Sequence, residues 1–337
     1  MTSSPFFTVG VPTIGRADHY LPLTIRSLLR QSHTDFELLI SDNASTDNTA
    51  DVVASFNDPR IRYIRHKERL SAGSHFAAIA AAAHGRYFVL NQDDDLLHLD
   101  FLQRAYKGLL IHPEALLFAS PIWREQPNRG YSSVALRPRE GYSDDVMISD
   151  TPFLVDGFYA AAKFFDLKLH FVHPALAIST EHLAAIGGYD AGQDYSVDLV
   201  TQARILLRGP LLYDPRPGGI FRVHEGNYSR TMKRDYRKSF YKSTYTQLIA
   251  VFESAGSDWK THLDAYLKTL QFGELAEIVH EWVYYRTPID LQRVGLAALE
   301  RAWSGSRLTL LRKLGSRLGW RNLARYLVSS AGTWHHA

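Results

Sequence analysis

The chain has 337 residues, 45% of them hydrophobic and 22% charged, a globular composition that excludes a disordered chain or a fibre. It contains no cysteine, which excludes disulfides, thiolate metal sites and a cysteine nucleophile, and which fits a reducing compartment. The net charge of +3 is unevenly spread, because seven Arg or Lys and no Asp or Glu lie from Arg301 onward, and the rest of the chain is net acidic. An acidic bulk argues against general nucleic-acid binding.

Strands and helices alternate in the first third of the chain. The apolar, β-rich runs predict five strands, and the amphipathic or alanine-rich stretches between them predict helices. Such alternation indicates parallel βαβ units, in which ligands bind beyond the carboxyl ends of the strands. The predicted strands are residues 6–13, 36–41, 61–65, 86–91 and 115–120, and the helices are residues 20–31, a segment capped near Ser45 or Thr46, 73–83 and 100–112.

The middle of the chain is less regular. Residues 121–150 contain Pro, Asn and Arg and are expected to form a surface loop. After it we predict a helical stretch over 153–165, a strand over 171–179 and a helix over 198–207 that ends at Gly209. From about Met232 the chain is expected to be helical.

The termini bear on localisation. The N-terminal residues lack a basic segment followed by an apolar run of signal length, and no run approaches the roughly 20 apolar residues of a membrane span. We therefore expect a cytoplasmic protein. The basic, leucine-rich segment 307–330 allows two readings: a packed helix with a solvated basic face, or an amphipathic segment lying on an anionic membrane surface, which would make the protein peripheral on the inner face of the membrane.

Three adjacent carboxylates, Asp93, Asp94 and Asp95, directly follow the fourth predicted strand. Adjacent carboxylates repel one another, and burial raises their pKa values unless a cation offsets the charge. A solvated loop at a helix start and a divalent metal site both fit the triplet alone. Thr13 and Asp42 also lie just past strand ends, so polar residues far apart in sequence are expected to converge on one edge of the sheet.

Three stretches together resemble the family 2 glycosyltransferases, whose fold is the GT-A type. The resemblance covers roughly residues 6–230 and implies a mixed, mainly parallel α/β sheet flanked by helices, with a helical C-terminal region. We accordingly expect a GT-A domain over residues 1–230 and a helical extension with a basic amphipathic tail over 231–337. The three stretches are "TVGVPTIGRADHYLPLTIRSLLRQSHTDFELLISDNASTDNT", "AAHGRYFVLNQDDDLLHLDFL" and the segment from "IGGYD" to "FRVHEGNYS".

The resemblance also implies a set of site residues. The acidic triplet matches the DxD motif, although Asn91 and Gln92 precede it where another acid often stands. A divalent cation, Mn²⁺ or Mg²⁺, would bridge the diphosphate oxygens of a nucleotide-sugar, and carboxylate oxygens suit such ions. The implied metal ligands are Asp93, Asp95 and His224, with a buried structural role as the alternative for His224. The implied nucleotide-sugar contacts are Pro12, Thr13, Asp42, Asp93, Asp94 and Arg222; a helix-capping turn is the alternative for Asp42.

The catalytic base is matched by spacing. In "VDLVTQARILLRG", the residues Asp198, Arg204 and Gly209 fall at the family's Asp, Arg and Gly, while Val197 replaces the usual Glu. Asp198 is therefore the implied base, and Asp194 is the nearby competitor.

The sequence thus predicts an inverting, metal-dependent glycosyltransferase that moves a sugar from a nucleotide-diphosphate donor, expected to be a UDP-sugar, to an acceptor hydroxyl. The implied partners are this donor and a glycan or lipid-linked acceptor, in the assembly of surface polysaccharide. Two alternatives remain open. A nucleotidyltransferase acting on sugar phosphates would usually show a glycine-rich basic loop after the first strand, and a non-catalytic sugar-nucleotide-binding module would not need both a metal triplet and a base.

Overall fold

The computed structural model describes residues 4–126, 130–134, 151–166, 173–192, 196–227, 234–268 and 288–302, and a few single positions between the last two ranges. The first half contains β1 (Phe7–Thr13), α1 (Leu21–Leu29), β2 (Phe36–Asp42), α2 (Thr49–Ala54), β3 (Ile61–Arg65), α3 (Ala72–Ala81), β4 (Tyr87–Leu90), β5 (Leu96–Leu97), α4 (Phe101–Ile111), β6 (Leu117–Ala119), β7 (Ile122–Gln126) and β8 (Gly130–Val134). It is followed by β9 (Phe153–Val155), α5 (Gly157–Ala162), β10 (Leu176–Ser179), α6 (Thr180–Ala185), α7 (Val197–Leu206), β11 (Leu211–Tyr213), β12 (Gly219–Arg222), α8 (Arg234–Ser254), α9 (Trp259–Leu267) and α10 (Ile289–Ala302).

The central sheet has eight strands in the order β3-β2-β1-β4-β10-β6-β11-β9. The first four run parallel, β6 and β11 are parallel to each other, and β10 and β9 are antiparallel to their neighbours. Every residue of β1 is buried, as expected for a central strand covered by helices on both faces. The predicted mixed, mainly parallel α/β sheet is confirmed.

Local sequence explains how the strands and helices meet. On α1, Leu21, Ile25 and Leu28 are fully buried and lie at helical spacing, so one face of the helix packs on the sheet. Gly85 precedes β4, and a Cβ at that position would lie 2.3 Å from the Thr8 nitrogen. Only glycine therefore lets β4 approach β1 this closely.

The predicted surface loop over 121–150 is wrong for its first part. Residues 122–126 and 130–134 form strands of a second sheet, in the order β5-β12-β7-β8. Ile122 is buried while Trp123 is exposed, an alternation that the flanking Pro, Asn and Arg residues obscured in the sequence. The remainder, 135–150, lies outside the described residues.

A second difference concerns the helix predicted over 153–165. Residues 153–155 instead form the edge strand β9, and α5 begins only after Asp156. The Asp156 side chain caps this helix by accepting a 2.8 Å hydrogen bond from the Tyr159 N–H. The helix is followed by a single 3-10 turn at Lys163–Phe165.

The C-terminal helices pack on the same hydrophobic core as the second half of the central sheet. Tyr245, Phe252 and Trp259 belong to one cluster with Phe165. The buried Trp282 indole donates 3.0 and 3.1 Å hydrogen bonds to the Phe165 carbonyl and the Tyr245 hydroxyl. The boundary at 230 remains a prediction. Among the described helices, none has both the length and the apolar character that crossing a membrane requires.

Candidate active site

Three strand ends bring the predicted polar residues together. Thr13 pairs with Asp42 in the β1–β2 register, so the two side chains lie at the same sheet edge. The Thr13 hydroxyl donates a 2.8 Å hydrogen bond to Asp93 Oδ2, although 80 residues separate them. Pro12 pairs with Ser41 one position earlier. The expected convergence on one edge is thus present in the structure.

The acidic triplet forms a tight turn held from the side by α1. The Asp95 N–H donates to the Gln92 carbonyl at 3.2 Å. The buried Thr24 hydroxyl lies 2.9 Å from the carbonyl oxygens of both Asp93 and Asp95. All three aspartates are buried, Asp95 completely. The triplet is therefore a rigid, enclosed cluster rather than a solvated loop.

This enclosure changes the acidity of the carboxyl groups. Burial, and then the charge of Asp94, raise the pKa of Asp93 to about 7. Burial and Asp94 also hold the pKa of Asp95 well above its ordinary value. Negative charge at the cluster is therefore costly without a counter-charge, which is the condition that favours a bound cation.

Arg222, the last residue of β12, forms hydrogen bonds to the triplet and to α1. Its backbone N–H donates to Asp95 Oδ1 at 3.0 Å, and its side-chain Nε donates to the Asp94 backbone carbonyl. Its Nη2 donates to the Thr24 hydroxyl at 3.0 Å, and the guanidinium lies 5.0 Å from the centre of the Tyr20 ring. The side chain is buried. The predicted contact of Arg222 with the donor is untested, whereas its contacts within the protein are extensive.

His224 faces Asp94. The Gly226 N–H donates to His224 Nδ1 at 3.1 Å, so the ring proton lies on Nε2, which is 2.9 Å from Asp94 Oδ2. The imidazole stacks on Tyr20 with ring centres 4.3 Å apart. Asn227 donates to the same Asp94 oxygen at 3.2 Å. Asp94 and His224 therefore form a preorganised pair.

The structure does not assemble the predicted metal trio Asp93, Asp95 and His224. Within the described ranges, no three His, Asp or Glu side chains are placed to hold a metal ion together. The physical reason is that His224 faces Asp94, while Asp95 Oδ1 accepts the Arg222 N–H. Asp95 Oδ2 is buried and has no hydrogen-bond partner among the described residues. A carboxylate-rich cluster with one imidazole and an orphaned carboxylate oxygen nevertheless has the donor chemistry that suits Mn²⁺ or Mg²⁺.

Asp42 lies in a second cluster at the end of β2. Its Oδ1 accepts the Ser45 N–H at 2.8 Å, so the predicted turn contact is present. Its Oδ2 accepts the Tyr63 hydroxyl and lies 3.7 Å from Arg65 Nε. The sequence did not single out Tyr63 and Arg65. Their position at the carboxyl half of β3, beside the end of β2, is the signal that could have identified them.

Two histidines flank Ser41 next to this cluster. The Ser41 hydroxyl lies 2.9 Å from Nε2 of both His66 and His75. Burial, and then the neighbouring His66, lower the pKa of His75 to about 4, while the Asp42 charge opposes this shift. His75 is therefore neutral at pH 7 and joins α3 to β2.

Asp198 lies in the first turn of α7, as its spacing predicted. It is half-buried, and its Oδ1 accepts the Leu199 N–H at 2.9 Å. Burial, and then the charge of Asp198, raise the pKa of the Tyr189 hydroxyl. In the described part of the chain, no hydrogen bond links Asp198 to the triplet. Its competitor Asp194 lies outside the described residues.

Comparison with protein families identifies a match to the model of glycosyl transferase family 2 over residues 8–178. A putative teichuronic acid biosynthesis glycosyltransferase, TuaG of Bacillus subtilis, is 31% identical over 108 residues, which are 32% of this chain and 42% of TuaG. WfgD of Escherichia coli, a UDP-Glc:alpha-D-GlcNAc-diphosphoundecaprenol beta-1,3-glucosyltransferase, is 33% identical over 81 residues, 24% of this chain and 32% of WfgD. The matched segment thus spans less than half the length of these relatives.

Two solved structures share the fold at low sequence identity. The structure of Staphylococcus aureus TarS 1-349 in complex with UDP-GlcNAc gives a TM-score of 0.60 at 14% identity, covering 97% of this chain and 91% of the other. The mannosyltransferase PcManGT of Pyrobaculum calidifontis, in complex with GDP-Man and Mn²⁺, gives 0.56 at 19% identity, covering 100% and 89%. The predicted GT-A fold is confirmed by these similarities.

Proposed function

The chain belongs to glycosyl transferase family 2, and on this basis we propose that it is an inverting, metal-dependent glycosyltransferase that moves a sugar from a nucleotide-diphosphate donor to an acceptor hydroxyl. The observation that carries the proposal is the meeting of Thr13, Asp42 and the acidic triplet at one edge of the sheet. In an open α/β sheet, this edge is where ligands bind.

The donor proposed is a UDP-sugar. Two neighbours of this fold were solved with UDP-GlcNAc and with GDP-Man, which supports a nucleotide-sugar donor. Because the nucleobases of these two ligands differ, the choice of uracil is tested by the donor panel described below. Asp42 would accept hydrogen bonds from the base or ribose through the lone pairs that Ser45 and Tyr63 leave free. Pro12 and Thr13 would line the same pocket from β1.

The residues proposed to hold the cation are the three carboxylates of the acidic triplet. His224 would orient Asp94 instead of binding the ion, because both of its ring nitrogens are engaged in hydrogen bonds within the protein. The Asp94–His224 pair supports a ligand role for Asp94 beside the roles expected for Asp93 and Asp95. A bound divalent cation supplies positive charge that stabilises the nucleotide diphosphate as it leaves. Within the protein, Thr24 and Arg222 keep the turn fixed, so little reorganisation is needed at the site.

The base proposed is Asp198. It would accept the proton of the acceptor hydroxyl, whose oxygen attacks the anomeric carbon as the bond to the nucleotide diphosphate breaks on the opposite face. A single displacement of this kind inverts the anomeric configuration. The proposal is supported by the position of Asp198 in the first turn of α7, where its side chain is only half-buried.

The proposed setting is surface polysaccharide assembly, with a glycan or lipid-linked acceptor. The support is the similarity to relatives such as TuaG, a putative glycosyltransferase of teichuronic acid biosynthesis. Contact of segment 307–330 with the inner face of the membrane, and a domain boundary at 230, belong to the same proposal. Segment 307–330 lies outside the described residues.

The proposal is tested by incubating the protein with UDP-, GDP-, dTDP- and CDP-sugars in Mn²⁺ or Mg²⁺ and measuring the nucleotide released. We expect slow release from one donor class and none in excess EDTA. Full activity in EDTA would remove the metal from the proposal. Transfer of a nucleotidyl group instead of a sugar would favour the nucleotidyltransferase alternative.

A further inference from the structure

The loop between β1 and α1 lies at the mouth of the candidate site, which is the region between the Asp42 cluster and the Asp94–His224 pair. Gly15 adopts a left-handed conformation with φ of +61° and donates its N–H to the Ser45 hydroxyl at 2.9 Å. The Ala17 N–H donates to Asp47 Oδ2 at 3.2 Å. The loop is therefore attached to the turn after β2, on the side where Asp42 lies, and the residue between these two anchors is Arg16.

Arg16 projects from this loop towards the triplet and the turn after β12. Its Nη2 donates to the Gly226 carbonyl at 2.9 Å, and the guanidinium lies 5.7 Å from the centre of the Tyr20 ring. Arg16 thus lies between the Asp42 side of the site and the Asp94–His224 pair.

The two arginines at this site differ in how their donor groups are used. Arg222 is buried and donates to the Asp94 carbonyl and the Thr24 hydroxyl. Arg16 is half-exposed, and the Gly226 carbonyl is its one hydrogen-bond acceptor within the described ranges. A guanidinium has five N–H donors in a fork that matches phosphate oxygens. Arg16 therefore has donor groups free for an anion.

We propose that Arg16 contacts the diphosphate of the donor, whereas Arg222 fixes the acidic triplet and α1 in place through its contacts within the protein. The inference rests on the proposed function and adds a binding residue to it. A diphosphate placed between the Asp42 cluster and the triplet would lie beside the loop that carries the half-exposed Arg16 guanidinium. Charge-assisted, bidentate hydrogen bonds would then fix its orientation.

The experiment compares binding of UDP and of uridine, by calorimetry in Mn²⁺, to the wild type, Arg16→Gln, Arg16→Lys and Arg26→Gln. GDP and guanosine replace them if the wild type prefers guanine. Arg26 is an exposed residue of α1, so Arg26→Gln removes the same charge away from the mouth. We expect Arg16→Gln to weaken UDP binding about ten- to a hundred-fold, the usual effect of losing a hydrogen bond to a charged group. Uridine affinity should stay within about two-fold, and Arg16→Lys should recover part of the loss.

The outcomes separate this inference from the proposed function. Equal UDP affinity in the wild type and Arg16→Gln, with both proteins binding UDP, would overturn the Arg16 inference alone. An equal loss of UDP and uridine affinity in Arg16→Gln would also overturn it, because the effect would then be on the pocket and not on the diphosphate. If the wild type binds no nucleoside diphosphate, the proposed function fails and the inference fails with it.

Discussion

Asp94 and Asp95 are adjacent in the chain, yet the structure gives them different surroundings. Asp94 pairs with His224 through its side chain, whereas Asp95 is fully buried and accepts the N–H of Arg222. We expect Asp94→Ala to abolish turnover and Mn²⁺-dependent UDP binding, and also to lower the unfolding free energy by about 1 to 3 kcal/mol, because His224 and the buried Asn227 amide lose their acceptor. Asp95→Ala should lower the unfolding free energy by about 1 to 3 kcal/mol, because it leaves a buried N–H unpaired.

The check is thermal or urea unfolding of both variants beside calorimetry with UDP and Mn²⁺. Asp51→Ala, an exposed residue of α2, is a matched control that should affect neither quantity. An Asp94→Ala variant with full turnover and Mn²⁺-dependent UDP binding would remove Asp94 from the proposed ligands and leave the roles expected for Asp93 and Asp95.

Asp198 allows a test of the base that leaves the metal site untouched. The variant Asp198→Asn keeps the shape of the side chain but loses its basicity, so turnover should fall by a factor on the order of 10² to 10⁴. Donor affinity should hardly change, since donor binding needs no proton transfer. Asp190→Asn, an exposed residue on the loop before α7, serves as control and should cost little. If Asp194→Asn is the inactive enzyme and Asp198→Asn the active one, the spacing argument chose the wrong carboxylate.

His75 joins helix α3 to strand β2, and its imidazole is neutral because it is buried. Its folded pKa of about 4 lies below the ordinary 6.5, so the unfolded chain takes up a proton as the pH falls below 6.5 and the folded chain does not. Stability is therefore complete above about pH 6.5 and is lost as the pH falls towards 4, by up to about 3 kcal/mol. His66 and Asp42 are the titratable groups that face it.

Urea unfolding between pH 7 and pH 4 checks this expectation in the wild type, His75→Gln and the exposed control His19→Gln. The loss of unfolding free energy on acidification should be smaller in His75→Gln than in the other two proteins. Parallel pH profiles for all three would show that His75 is not the group responsible.

The sequence predicted the elements that carry the site better than the rest. β1, β2 and β4 are mainly apolar and lead into polar residues, and the carboxyl-end rule places Thr13, Asp42 and Asp93 together without any knowledge of packing. The strands β7 and β9 were missed because β7 has only two apolar residues, followed by polar and loop-forming residues, and β9 has only three residues.

The ties between elements could not be predicted in the same way. Arg222 reaches Thr24 across 198 residues of sequence, and His224 reaches Asp94 across 130. Neither pair has a local pattern, because the contacts depend on how β12 packs beside α1. For the same reason, the sequence suggested Arg222 as a donor contact and gave Arg16 no role.

The molecule separates its candidate site from the hydrophobic core that supports the sheet. One edge gathers the acidic triplet, Asp42 and His224, while one hydrophobic core cluster joins residues of the central sheet, such as Phe88 and Leu211, to residues of α8 and α9. The C-terminal helices therefore contribute to the stability of the sheet that positions the site. The reaction proposed for this site is a single displacement at the anomeric carbon of a nucleotide-sugar.

Time-resolved proton NMR of donor hydrolysis distinguishes a single displacement from a double one. The wild type is incubated with the donor it accepts, in Mg²⁺, and the first-formed anomer of the free sugar is recorded before mutarotation. A single displacement by water predicts a first-formed anomer opposite in configuration to the donor, with release slowed strongly in Asp198→Asn. A first-formed anomer with the configuration of the donor would contradict the inverting mechanism and the role given to Asp198.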